Sequence, residues 1–145
     1  MKEAGYKFED HTADVQVKSW GSDLCEAFEQ TALSLMETIS PDLNKISPKS
    51  KKELQVTAED KEALLFDFLS EFLYIFDVEG LVFSEIDIKT IEKLNNDYQL
   101  FASMKGEKFD RDKHEIGTEV KAITYSFMEI NELDEKVEIS IVFDI

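Results

Sequence analysis

Cysteine, proline, glycine and basic residues are all scarce in this 145-residue chain, and each shortage closes off a class of chemistry. The one cysteine, Cys25, cannot close an internal disulfide and has no CxxC partner, so a Cys/His zinc site lacks ligands. Set among Leu24, Phe28 and Glu29, it reads as a half-buried structural thiol rather than a nucleophile. The glycines, at positions 5, 21, 80, 106 and 117, never fall in GxGxxG or GxxxxGKS/T spacing, so neither kind of phosphate cradle is expected. The serines lack a GxSxG elbow. Sixteen Lys and Arg stand against 32 Asp and Glu, a formal net charge of −16, so phosphate backbones are repelled and direct nucleic-acid binding is not expected. No apolar run approaches the roughly 18 residues that span a bilayer, and no membrane contact is expected. Without a basic start leading into an apolar run, the expected compartment is intracellular and reducing: the cytoplasm, with the nucleus open to a eukaryotic protein.

Apolar residues, by contrast, make up 43% of the chain and include 11 Phe, enough for a core in one domain spanning 1–145. Tyr6 to Glu9 reads as extended, and from Ala13 the alternation of Ala13, Val15 and Val17 against Asp14, Gln16 and Lys18 is that of a half-buried strand. Gly21 breaks it. Ser22 or Asp23 can cap a helix in which Leu24, Ala27, Phe28, Thr31, Ala32, Leu35, Met36 and Ile39 recur at helical spacing, and Ser40 and Pro41 end it. Both prolines and the cluster Lys45, Lys49, Lys51 and Lys52 mark a solvated surface connection. Glu53 to Thr57 reads as a strand and Asp60 to Phe76 as a second helix, with Leu65, Phe68, Leu69, Phe72, Leu73 and Phe76 on its core face.

After Gly80 the period returns to two: Leu81 to Ile91, Tyr98 to Lys105, Glu119 to Ile130 and Val137 to Ile145 read as strands, the last two paired antiparallel. In Glu119 to Ile130, Ile123, Tyr125 and Phe127 fill one face and Val120, Ala122, Met128 and Ile130 the other, as in a central strand covered on both sides. The final strand turns Val137, Ile139, Ile141, Phe143 and Ile145 one way and Glu138, Ser140, Val142 and Asp144 the other. Two long helices and about seven strands without regular alternation give an α+β fold, the helices packed on a mixed, mostly antiparallel sheet.

The segment Asp10-His11-Thr12-Ala13-Asp14 brings two carboxylates and an imidazole together at a strand entry. Such oxygen donors suit a hard cation such as magnesium, calcium or manganese, yet on spacing alone they serve equally to satisfy backbone N–H groups in a turn, which is the better reading. Acid, base and metal-ligand roles for Asp10, His11 and Asp14 in a metal-dependent hydrolase, or an acidic chaperone-like module without metal, also stay open. His114, in the charged run Phe109 to Glu115, reads as solvated.

Phe8 to Val15, Trp20-Gly21, the helix start Leu24 to Glu29, the run Gly117 to Tyr125 and the ending Val142-Phe143-Asp144-Ile145 together resemble the archease family over nearly the whole chain. The resemblance implies a strand-helix-strand-strand module with a second one inserted. It also implies a non-catalytic protein that activates an RtcB-type RNA ligase in tRNA splicing, promoting guanylylation of the ligase and multiple turnover. A divalent ion, calcium foremost and otherwise manganese or magnesium, would be held by Asp14, Asp144 and Ile145, with Asp10 and His11 nearby. If the first and last strands are neighbours, Asp14 and Asp144 oppose like charges on one face, which a cation would relieve.

Overall fold

A computed structural model describes residues 3–9 and 14–145. The chain runs β1 (Gly5–Glu9), β2 (Asp14–Gly21), α1 (Leu24–Ile39), a 3-10 turn at Leu43–Lys45, β3 (Ser50–Ala58), α2 (Lys61–Glu79), β4 (Leu81–Leu94), β5 (Asp97–Lys108), β6 (Ala122–Ile123), β7 (Glu129–Glu132) and β8 (Val137–Asp144). The class is α+β as expected, with the strands divided between two sheets. One has the order β1-β2-β8-β6, with β7 also on β8; the other has the order β3-β5-β4. Every pairing within them is antiparallel. β3-α2-β4-β5 is thus a strand-helix-strand-strand unit set between α1 and the closing strands of the first sheet.

Both helices begin where side chains can satisfy free backbone donors. Asp23 accepts from the Glu26 N–H at 2.8 Å while Glu26 reaches back to the Ser22 N–H and hydroxyl at 2.7 Å each. These bonds to Ser22 hold the Glu26 carboxyl below the usual range. Asp60 caps α2 in the same manner, and Gly80 ends it at φ 70°, a left-handed conformation that glycine adopts without Cβ strain. α2 runs to Glu79, a turn past the expected end at Phe76, because that glycine and not the last core residue stops it.

The two helices and the inserted sheet meet through stacked and edge-on rings. Phe28 on α1 lies 6.2 Å from Phe68, Phe68 lies 5.1 Å from Phe72, and Phe72 lies 5.8 Å from Phe83 on β4. Ser19 on β2 and Thr31 on α1, both wholly buried, share a 2.5 Å hydrogen bond that keeps two hydroxyls satisfied inside the core.

Three expectations need correction. Glu119 to Ile130 is not one strand buried on both faces: β6 and β7 lie end to end along β8, separated by a turn. Six residues of this edge, Ile123 to Glu129, advance only three on β8, Phe143 to Ser140. Tyr125 and Phe127 are therefore 54% and 69% exposed, and only Ile123 of the three is buried. Alternation of apolar residues cannot by itself distinguish a strand from an edge interrupted by such a bulge.

The basic connection is solvated at Lys45, Lys49 and Lys51, but it ends sooner than expected, because β3 begins at Ser50 and not at Glu53. Lys45 pairs with Glu115, Lys49 with Glu107, Lys51 with Glu53 and Lys52 with Glu79, and Ser50, Lys51 and Lys52 already belong to β3. His114, the third correction, is 3% exposed. Its Nδ1 accepts from the Asp110 N–H at 2.9 Å, which leaves Nε2–H to donate to Glu107 Oε2 at 2.8 Å. Glu107 also accepts from Lys113 Nζ at 2.6 Å and from the Ser47 N–H at 2.8 Å. These donors, Lys113 first, hold the Glu107 carboxyl down at about 2.

Because Glu107 titrates lower in the folded chain than its ordinary value of 4.5, its stabilisation is complete above that pH and lost as pH falls toward about 2. Urea unfolding across this window should show Glu107→Gln less stable than wild type near neutrality. Its stability should fall more gently on acidification, by up to one proton's worth, about 1.4 kcal/mol per pH unit. Parallel acid limbs for the two proteins would contradict this assignment.

Candidate functional site

The candidate site lies where β2 begins and β8 ends. The ladder between them pairs Asp14 with Asp144, Val15 with Phe143, Gln16 with Val142 and Val17 with Ile141. Val17, Ile141 and Phe143 are buried against the helices, so the alternate face carries Asp14 and Asp144 side by side. Directly opposed residues in an antiparallel ladder have Cβ atoms about 4.5–5.5 Å apart, close enough for the two carboxylates to interact. Both residues are half-buried, as is Ile145, which follows at the end of the strand.

On its other edge β8 is met by the segment leading into β6. The Lys121 N–H donates to the Asp144 carbonyl at 2.8 Å, and Ala122 is the register partner of Asp144. That segment is fixed to the end of α1: the Gly117 N–H donates to the Ile39 carbonyl at 2.9 Å, the Thr118 N–H to the Thr38 carbonyl at 2.8 Å, and Ser40 Oγ to the Glu115 carbonyl at 2.9 Å. The Thr38 and Ile39 carbonyls are among those a helix end leaves without intrahelical partners. A Cβ on Gly117 would sit 2.2 Å from the Thr38 oxygen, so only glycine allows this approach.

Beside Asp14 is a concavity of about 400 Å³ that Glu9, Glu37 and Thr118 help to line; Asp144 is not among its lining residues. Tyr6 donates its hydroxyl to Glu37 Oε1 at 3.0 Å, and burial followed by the Glu37 charge holds that phenol well above the tyrosine range.

Asp14 and Asp144 are thus adjacent, and Ile145 adjoins them. Asp10 and His11 lie outside the described residues, and with them two of the three side chains of the hydrolase reading. Among the described residues no group of three or more His, Cys, Asp or Glu side chains is arranged to hold a metal ion. Asp14 and Asp144, register partners on one face, offer only oxygen donors, of the kind that suits a hard divalent cation rather than zinc or copper. Cys25 offers no alternative chemistry, since burial first, and then Asp23 and Glu29, push its thiol up to about 11. The anchoring role of Gly117 carried no signal in the sequence, because the carbonyls it approaches lie 79 and 78 residues earlier, at Thr38 and Ile39.

The family model described as "Archease protein family (MTH1598/TM1083)" matches residues 6–145. "Protein archease" of Pyrococcus abyssi is 46% identical over 126 residues, 87% of each chain. "Protein archease-like" of Dictyostelium discoideum is 36% identical over 143 residues, 97% of this chain and 93% of its own. The solution structure of Methanobacterium thermoautotrophicum protein 1598 superposes with a TM-score of 0.82 at 31% identity, covering 97% of this chain and 99% of that one. The crystal structure of a Thermotoga maritima protein, described as an archease and possible chaperone, shares the fold with a TM-score of 0.59 at 23% identity, covering 96% of each chain.

Replacing Gly117 by alanine forces a methyl group onto the Thr38 carbonyl and should destabilise the protein by about 1–3 kcal/mol, the usual cost of overpacking. Urea unfolding measures the loss, and hydrogen exchange at the Gly117 and Thr118 amides should accelerate with it. Wild-type stability and protection would show that the segment is not held by this approach.

Proposed function

The chain belongs to the archease family, and on that premise we propose that it is a non-catalytic, cation-binding activator of an RtcB-type RNA ligase in tRNA splicing. The observation that carries the reading is the opposition of Asp14 and Asp144 across the β2–β8 ladder. Two like charges facing each other on a sheet are unfavourable, and a divalent ion between them turns repulsion into attraction on both sides.

In this reading the carboxylates of Asp14 and Asp144 and the main-chain oxygen of Ile145 hold the ion, with Asp10 and His11 as further donors. Calcium, manganese and magnesium all accept such ligands. The ion fixes the strand ends and presents a charged edge to the ligase. The chain itself supplies no nucleophile; it positions an ion and a surface. A formal net charge of −16 favours encounter with the basic surface that an RNA-gripping enzyme needs, and the same charge keeps the activator off the RNA.

Thermal unfolding and ligase turnover test this together. In chelator, Asp14→Asn and Asp144→Asn should each melt at or above the wild-type temperature, because the repulsion is gone. Calcium or manganese at 100 times its dissociation constant should stabilise wild type by about 2.7 kcal/mol and leave both variants nearly unmoved. In ligation assays with GTP and manganese, both variants should lose at least tenfold of the activation. Loss of ion binding with activation at the wild-type level would make the ion purely structural. Failure of the wild type to activate the ligase would overturn the whole reading.

A further inference from the structure

The turn that interrupts the β8 edge has a conformation its sequence does not favour. The Met128 N–H donates to the Tyr125 carbonyl at 3.1 Å, closing a turn with Ser126 and Phe127 at its centre. Phe127 has φ 57°, whereas Ser126 is not in the positive-φ region, which is the type II pattern that calls for glycine or asparagine at Phe127's position. The other non-glycine residues at positive φ among the described ones are Asp42 and Asn95, whose short polar side chains tolerate it. A phenylalanine here is held in an unfavourable backbone conformation, and its ring is 69% exposed.

Beside it, Tyr125 is 54% exposed and stacks face to face on Phe66 of α2, with centroids 4.4 Å apart and planes 8° from parallel. Asp67 follows Phe66 on α2, and its charge, with those of Asp60 and Glu59, adds to desolvation in raising the Tyr125 phenol. Lys61, the cation in the same stretch of α2, is already paired with Glu132. The result is an exposed aromatic surface in an acidic neighbourhood.

Charge selects the occupant. A second copy would bring the same carboxylates against themselves, and nucleic acid or an anionic lipid surface would meet the same repulsion. A guanidinium group fits both parts of the surface, since it stacks on aromatic faces and forks onto a carboxylate beside them. We propose that Phe66, Tyr125 and Phe127, bordered by Asp60 and Asp67, form the docking surface for an arginine-bearing basic patch of the RNA ligase. The proposal rests on the ligase-activator reading and assigns that activity a contact surface. Ala122, the register partner of Asp144, precedes Tyr125 by three residues, so a ligase seated on this surface would have the opposed carboxylates roughly 10 Å away along the edge.

The test measures the ligase's dissociation constant, its activation at saturating activator, and the activator's melting temperature with and without calcium. The proteins compared are wild type, Phe127→Gly and Asp67→Asn. Glycine suits the turn, so Phe127→Gly should remain folded and keep its calcium-dependent shift. Both variants should bind the ligase at least tenfold more weakly, yet activate it normally once saturated. If wild type binds and activates but both variants bind equally well, the docking surface is overturned and the activator reading stands. If wild type neither binds nor activates, the activator reading falls and this proposal with it. A wild-type dimer that Phe127→Gly dissociates would assign the face to a second copy and also overturn the proposal.

Discussion

Eight consecutive residue pairs join Asp14–Gly21 to Val137–Asp144, and this ladder fixes both the core and the charged end of the molecule. Side chains on a strand alternate faces, so the register that sends Val17, Ser19, Ile139, Ile141 and Phe143 inward also sets Asp14 against Asp144 on the opposite face. A slip of one residue would bury carboxylates and expose the apolar set. Burial of each large apolar side chain contributes about 1.5–3 kcal/mol, whereas a surface carboxylate pair costs at most about 1 kcal/mol, so the core decides and the repulsion is tolerated. The opposed charges are therefore a consequence of folding that a cation can exploit, and no separate structural device is needed to bring them together.

The same logic of long-range fixation runs through the rest of the chain. The segment from Glu115 to Lys121 is tied at one end to the last carbonyls of α1 and at the other to the Asp144 carbonyl, so α1 and the end of β8 hold one rigid bridge. Behind it, Glu107 collects bonds from Lys113, His114 and the Ser47 backbone, anchoring the loop that follows β5 to the connection that precedes β3. Few of these bonds are local in sequence, which is how so much of the irregular chain is fixed without a disulfide.

How much of this was legible in the sequence follows from the same distinction between local and distant. Both helices could be read because their apolar spacing and capping aspartates are local, and the alternation of Val15 and Val17 and of Ile139, Ile141 and Phe143 gave β2, β8 and the faces on which Asp14 and Asp144 lie. What failed depended on partners that the local apolar pattern does not reveal. His114 is buried because β5 delivers Glu107 beneath it, and Glu107 sits at a position that strand alternation would send to solvent. Lys45 and Lys52 meet Glu115 and Glu79, neither of which is near them in sequence. The turn at Tyr125 to Met128 was invisible for a different reason: phenylalanine is not a turn residue, and an alternating apolar run looks the same whether or not an edge strand bulges within it.

The central claim is that Asp14 and Asp144 oppose one another until a cation joins them, and a double-mutant cycle measures this directly. Unfolding free energies of wild type, Asp14→Asn, Asp144→Asn and the double variant should give a repulsive coupling in chelator and an attractive one of about 1–3 kcal/mol in saturating calcium or manganese. A coupling of zero in both conditions would contradict the account, because it would mean that the two carboxylates neither repel each other nor share an ion.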